Sequence, residues 1–223
     1  MKTKGKKGLV WGVALLCAFL IWTALVMFVD VKPLGQNGTD IGLSTLNVWF
    51  HGVTGVNMKL CEITDWVGLG AVPLIVVACF GVFGVVQLIK RKSVKKVDAD
   101  ILLLGAYYAV VLLAFLLFEV VTVNYRPILV NGELEGSYPS TTTLLVLSIM
   151  PTLLFQVKRR SQNRALITVT ALFVVIFSAF MVICRTVSGV HWLSDIIGAV
   201  LLSAGLYLVY RSAVMLTDGK KDK

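Results

Sequence analysis

Long apolar runs, separated by short polar segments, divide the chain into candidate membrane spans. An α-helix needs roughly 20 apolar residues to cross the hydrocarbon core of a bilayer, with about 17 as the lower limit. The pattern therefore predicts an all-α fold, a bundle of six transmembrane helices in a single membrane domain over residues 1–223. The predicted spans are 9–31, 66–89, 101–123, 141–157, 165–184 and 196–210.

Composition agrees with this pattern, because only 15% of the residues are charged and 57% are hydrophobic. A soluble domain carries about 25% charged residues. The first apolar run extends from Leu9 to Val29, which is longer than the roughly 7–15 apolar residues of a cleaved signal peptide. We therefore expect an uncleaved first span.

The basic residues predict the orientation of the bundle. Seventeen of the 21 Lys and Arg lie in the N-terminal tail, the loops 90–96 and 158–164, and the C-terminal tail that ends at Lys223. Cytoplasmic loops collect Lys and Arg, so we expect a multi-pass cell-membrane protein with both termini in the cytoplasm. The same clustering explains the net charge of +9 without a nucleic-acid partner.

Three segments then face the outside, namely 32–65, 124–140 and 185–195. The outer loop 32–65 is mildly amphipathic around Trp49 and His51, and we expect it to contain a short helix lying on the membrane. Ionisable groups at membrane depth are expensive and usually mark a site. The candidate site therefore lies on the extracytoplasmic side.

The last outer segment holds Arg185, His191 and Asp195. Residues four apart share a face of a helix, and a carboxylate beside an imidazole fixes its tautomer and suits a nucleophilic or basic His. The alternative is a polar pair that only caps the last span.

Two other segments carry weaker signals. Ser140 follows a proline and is predicted as the N-cap of the fourth span, where free N–H groups and the helix dipole attract anions; plain capping is the alternative. Arg126, which is followed by Pro127, lies seven positions after Glu119. Arg126 can bind phosphate oxygens, or it can simply reach toward lipid headgroups.

Together these segments resemble the phosphatidic acid phosphatase type 2 / vanadium haloperoxidase superfamily over residues of about 100–210. Its third motif reads here Cys184-Arg185-(five)-His191-(three)-Asp195, with Cys in place of Ser. Its Pro-Ser-Gly-His motif reads Pro139-Ser140-Thr141-Thr142. Its first motif keeps Arg126-Pro127 but has Glu119 where the family has lysine.

The resemblance implies a role for each matching residue. His191 is the implied nucleophile, which forms a phosphohistidine intermediate, and Asp195 orients it. Arg126, Ser140 and Arg185 are the implied ligands of the phosphoryl oxygens. No metal or cofactor is expected, since arginines and a helix start can carry the phosphoryl charge.

The altered motif positions change the expected chemistry. Thr142 replaces the family's general-acid histidine, and general acid catalysis contributes about 10²–10⁴-fold. Activity should then favour lipid diphosphates, whose phosphate leaving group needs less protonation than an alkoxide. Glu119 or His51 could substitute for the acid. We expect Glu119 instead to form an ion pair with Arg126 or Arg185.

The sequence favours a lipid phosphatase or diphosphatase of the membrane. The alternative is a catalytically impaired relative that binds or moves an anionic lipid. A vanadate-dependent peroxidase fits less well without the family lysine. A small transporter or structural subunit does not predict Arg, His and Asp at the outer ends of separate spans. The sequence does not specify the lipid or the oligomeric state.

Overall fold

The computed structural model describes residues 2–130 and 132–221, and these residues fold into helices joined by short connections. Lys223, part of the basic C-terminal tail, lies outside the described residues. The elements are α1 Lys2–Phe28, α2 Ser44–Thr54, α3 Met58–Thr64, a π-helical segment Asp65–Ala71, α4 Val72–Arg91, α5 Ala99–Val120, α6 Thr141–Arg160, α7 Arg164–Val187 and α8 Leu193–Lys221. Within the described ranges, β-structure is limited to three isolated bridges.

The predicted all-α fold with six membrane spans is confirmed. Six helices are long and apolar enough to cross a membrane, and the second of them combines α3, the π-helical segment and α4 into one helix of 34 residues. The protein is therefore a multi-pass membrane protein. An even number of spans places the two ends of the bundle's chain on the same side of the membrane.

Some predicted boundaries are wrong. The second span begins at Met58, so the outer segment ends at residue 57 and not at 65. The sixth span covers Leu193–Asp218 instead of 196–210, and the fourth covers Thr141–Arg160 instead of 141–157. These helices extend into polar residues such as Ser194. Such residues are tolerated there because their side chains are fully buried within the protein.

The centre of the bundle is formed by α6 and α8. Half of the residues in their apolar stretches are buried, compared with 11–22% in the other spans. Close packing of α1 along α8 depends on small residues, because a Cβ at Gly12 would lie 2.9 Å from Val209 and one at Gly205 would lie 2.8 Å from Leu16. Small residues allow helix backbones to approach closely in membranes.

The outer segment before the second span contains α2, as the sequence predicts. α2 is tied to the start of α8 by Asn47, which is fully buried. Its amide nitrogen donates to Ser194 Oγ at 2.9 Å, and its amide oxygen accepts from the Ser194 N–H at 3.1 Å. The outer segment therefore packs against the helix end that carries Asp195, while Trp49 remains exposed.

Candidate active site

A tight turn between α7 and α8 carries His191. Gly189 in this turn has a φ of +68°, and a Cβ there would collide with the backbone carbonyl of Gly55. The Ser188 carbonyl accepts from the Asn57 N–H at 2.9 Å. His51 Nε2 lies 3.1 Å from the Gly189 carbonyl, and its ring packs on Trp192. The turn is therefore held from outside by the end of α2 and the segment that follows it.

His191 is buried, and both ring nitrogens have partners. Nδ1 lies 2.9 Å from the Ser137 carbonyl oxygen, and Nε2 lies 3.1 Å from Nη2 of Arg185. A carbonyl can only accept and a guanidinium can only donate. The proton therefore sits on Nδ1, and the lone pair of Nε2 accepts from Arg185.

Charge and burial keep the His191 ring neutral. Burial lowers its pKa well below the usual value, and the nearby guanidinium groups of Arg185 and Arg126 lower it further. The hydrogen bond to Ser137 opposes this shift in pKa but does not reverse it. A neutral imidazole whose Nε2 carries no proton is a nucleophile once the hydrogen bond from Arg185 is displaced.

Asp195 lies in the first turn of α8, whereas His191 precedes the helix. The four-residue spacing predicts that the two residues share a helix face. That prediction is wrong, because only Asp195 belongs to the helix. Asp195 is fully buried, and its Oδ2 accepts from the Trp192 N–H at 2.9 Å and lies 3.5 Å from His191 Nδ1. The carboxylate approaches the ring, although the shorter contact of Nδ1 is to the Ser137 carbonyl.

Arg185 comes from the last turn of α7 and is 1% exposed. Its Nη1 lies 2.8 Å from Asp65 Oδ1 and also donates to Thr64 Oγ1 at 3.2 Å and to Cys61 Sγ at 3.3 Å. Its Nη2 faces His191. The guanidinium thus connects the second span to the imidazole.

Arg126 lies in the loop between α5 and α6. Its N–H donates to the Glu135 carbonyl at 3.0 Å, and its Nε lies 3.1 Å from Glu135 Oε2, in an ion pair not aligned as a hydrogen bond. The neighbouring Tyr125 carbonyl accepts from the Trp192 indole at 2.6 Å. This contact brings the loop of Arg126 against the turn of His191.

A cavity of about 270 Å³ joins Arg126 and His191. Glu119 also lines it but is exposed, and neither arginine of the site pairs with it: Arg126 pairs with Glu135, and Arg185 pairs with Asp65. The predicted ion pair of Glu119 is therefore wrong. The remaining lining residues are Phe118, Glu135, Gly136, Ser137, Tyr138, Pro139 and Thr141.

Ser140 is the N-cap residue of α6, as predicted, but it is fully buried and does not line the cavity. Its hydroxyl donates to Thr143 Oγ1 at 3.1 Å, and its N–H donates to the Asp195 carbonyl at 3.2 Å. Ser140 therefore joins the starts of α6 and α8. The adjacent Thr141 is the part of this helix start that faces the cavity.

Sequence reasoning did not identify Asp65. It lies at the start of the π-helical segment, and its Oδ1 accepts a hydrogen bond of 3.1 Å from the hydroxyl of Thr142, the altered motif residue. Thr142 is itself 1% exposed. A lone carboxylate at the outer edge of an apolar run could have signalled this residue. Among the described residues, no group of three or more His, Cys, Asp or Glu is placed to hold a metal ion.

Comparison with known proteins adds two findings. Residues 120–217 match the family model described as PAP2 superfamily. The fold resembles the crystal structure of the first transmembrane PAP2 type phosphatidylglycerolphosphate phosphatase, from Bacillus subtilis, with a TM-score of 0.59 and 16% identity over 95% of this chain and 97% of that one. No curated protein matches the sequence.

Proposed function

We propose that this chain, whose residues 120–217 match the PAP2 superfamily model, is a membrane phosphatase that hydrolyses a lipid phosphate or a polyprenyl or lipid diphosphate. The observation that carries this proposal is the pairing of His191 and Arg185. Nε2 of a buried, neutral imidazole faces a guanidinium at 3.1 Å, beside a cavity that also contains Arg126. A nucleophile between two cations suits an anionic phosphorus centre.

In the proposed reaction, His191 Nε2 attacks phosphorus and the bond to the leaving group breaks, which leaves a phosphohistidine. Arg126 and Arg185 hold the phosphoryl oxygens, where their charge stabilises the transition state. The start of α6 adds backbone N–H groups and the positive end of its dipole. Ser140 fixes this helix start instead of facing the substrate.

The ring of His191 gains positive charge as the phosphorus–nitrogen bond forms. The Ser137 carbonyl and the Asp195 carboxylate are placed at Nδ1 to stabilise that charge, at 2.9 and 3.5 Å. Water then attacks the phosphohistidine, phosphate is released, and Nε2 is restored. Asp195 thus acts by orienting and stabilising the imidazole.

We place this chemistry at the extracytoplasmic face. The basic loops lie at the opposite ends of the spans from His191, and such loops are cytoplasmic in most membrane proteins. A lipid substrate would then stay in the outer leaflet while its phosphate group enters the cavity.

A second function has specific support. Thr142 and Glu119 stand where the family has its acid histidine and its lysine. In addition, the guanidinium of Arg185 is already paired with the Asp65 carboxylate. A protein with these changes could bind or move an anionic lipid without hydrolysing it.

Phosphate release in detergent micelles separates the two functions. We expect the purified wild type to release phosphate from phosphatidic acid or from a polyprenyl diphosphate. His191→Ala should reduce this release to background, and Arg164→Lys at the exposed start of α7 should not change it. Rapid quenching with a ³²P-labelled substrate should label the wild type and not His191→Ala. Lipid binding without release by the wild type would instead support the second function.

A further inference from the structure

We propose that Asp65 is the general acid and base of this reaction, in place of the histidine that position 142 lacks. The inference rests on the proposed phosphatase function. It assigns a catalytic role to a residue outside the matched region 120–217, and it explains how a chain with Thr142 could still hydrolyse a monoester.

The contacts of Asp65 place it beside the reacting atoms. Oδ1 lies 2.8 Å from Nη1 of Arg185, whose Nη2 lies 3.1 Å from the nucleophilic nitrogen of His191. Oδ1 also accepts from the Thr142 hydroxyl at 3.1 Å, and Oδ2 accepts from Cys61 Sγ at 3.3 Å. A carboxylate thus lies beside both the guanidinium of Arg185 and the motif position that lacks the histidine.

The local backbone holds this carboxylate close to the site. Asp65 begins the π-helical segment inside an otherwise α-helical span, and such wide turns are frequent at functional sites. The segment packs tightly on α6 and α7 at Gly68, where a Cβ would lie 2.9 Å from Thr142 and would collide with Met181. Even so, the Asp65 side chain is not enclosed by the protein, because 41% of it is exposed.

Substrate binding provides the proton. A phosphate monoester loses its second proton near a pKa of about 6, so part of it is present as a monoanion near neutral pH. Its oxygens take the place of the Asp65 carboxylate on Arg185, and its proton passes to the released carboxylate. The site then contains a phosphate dianion, a carboxylic acid and a neutral imidazole.

The two chemical steps use this proton in turn. His191 Nε2 attacks phosphorus, the bond to the ester oxygen breaks, and the Asp65 O–H protonates the departing alkoxide to give the alcohol. In the second step, the Asp65 carboxylate removes a proton from water while the water oxygen attacks phosphorus. The phosphorus–nitrogen bond breaks, Asp65 returns this proton to the departing phosphate, and the carboxylate pairs with Arg185 again.

The other candidate acids are less well placed. His51 Nε2 contacts the Gly189 carbonyl, and among the described residues His51 has no hydrogen bond to Arg185 or Thr142. Glu119 lines the cavity of His191, but it has no ion pair or hydrogen bond to a residue of the site within the described part of the chain. Asp65 alone touches both the guanidinium of Arg185 and the altered motif residue.

The dependence on the leaving group tests this role. An acid is needed for an alkoxide, whereas the phosphate released from a diphosphate needs less protonation. We expect Asp65→Asn to lower kcat for phosphatidic acid by about 100-fold or more and to lower kcat for a polyprenyl diphosphate far less. Asp65→Glu should recover part of the monoester activity. Asp40→Asn, an exposed carboxyl change on the same side, should match the wild type for both substrates.

Equal losses with both substrates would overturn the inference, since they would mean that Asp65 only holds Arg185 in place. An unchanged Asp65→Asn enzyme would overturn it as well. A thermal melt of each variant checks that the fold is intact, and Asp65→Glu supplies the second variant if Asp65→Asn unfolds. A wild type that hydrolyses neither lipid would overturn the proposed function together with this inference, whereas an active wild type that loses both activities in His191→Ala supports the proposed function independently.

Discussion

Nη2 of Arg185 lies 3.1 Å from Nε2 of His191, and both side chains are buried. The guanidinium donates to the lone pair that would attack phosphorus, and its charge lowers the pKa of the imidazole. A phosphate that enters the site therefore has to take over this donor. In the proposed reaction, the same exchange exposes Nε2 of His191 and places the phosphoryl group beside it.

Replacement of Arg185 by lysine should disable the site while preserving a positive charge. The guanidinium contacts Asp65 and His191 through two different nitrogens, and a single ammonium group cannot reproduce that fork. We expect Arg185→Lys to lower kcat/KM for phosphate release by about 100-fold or more, as loss of one transition-state donor does. The matched change Arg164→Lys should leave it unaltered. Activity of Arg185→Lys close to the wild type would argue against a role of the fork in binding phosphate.

An alanine at position 189 should disturb the nucleophile turn. Gly189 has a φ of +68° and no room for a Cβ, whereas Gly38 has a φ of +72° and open space around it. Gly38→Ala thus carries only the cost of the left-handed backbone, which is roughly 1–2 kcal/mol. Gly189→Ala adds a collision with the Gly55 carbonyl that shifts His191, and a displacement of about 1 Å can cost 100-fold in rate.

Thermal melts and phosphate release of the two glycine variants distinguish these effects. Gly189→Ala should show the larger fall in Tm and a loss of phosphate release by about 100-fold, while Gly38→Ala keeps its activity. Similar behaviour of the two variants would mean that the Gly55 contact does not position the turn.

The lowered pKa of His191 predicts a pH-dependent stability. The unfolded chain takes up a proton on this histidine below a pH of about 6.5, whereas the folded protein does so only at lower pH. Its contribution therefore makes the folded state less stable as pH falls through that value, by at most about 1.4 kcal/mol per pH unit. Between pH 7 and pH 5, measured in an uncharged detergent, the Tm of the wild type should fall more than the Tm of His191→Gln. Parallel curves would contradict a neutral, buried imidazole.

The fold was largely predictable because each span is a long apolar run. The ends were less so, since Ser194 and Asp195 are polar but fully buried, and a hydropathy pattern assigns such residues to loops. The second span was predicted too short for a related reason. Its outer end contains Asp65, whose charge is compensated by Arg185. A hydropathy pattern cannot reveal this partner, because Arg185 lies 120 positions further along the chain.

The candidate site was predictable where residue type carries the chemistry. Motif spacing placed Arg126, Arg185 and His191 in one neighbourhood, and the structure brings them together around one cavity and one hydrogen bond. The Ser137 carbonyl could not be predicted, because a backbone acceptor leaves no trace in the residue type. Ser140 was assigned correctly as a cap, but only the structure shows that its hydroxyl bonds to Thr143 and that it does not line the cavity.

The attachment of the N-terminal half to the His191 turn has an implication for engineering. Asn47, Asn57 and Asp65 reach Ser194, Ser188 and Arg185 from outside residues 120–217. A chimaera that transplanted only the stretch shared with the family would leave those anchoring partners behind. An exchange of this stretch between relatives should therefore succeed only when the outer segment and the beginning of the second span are transferred together with it.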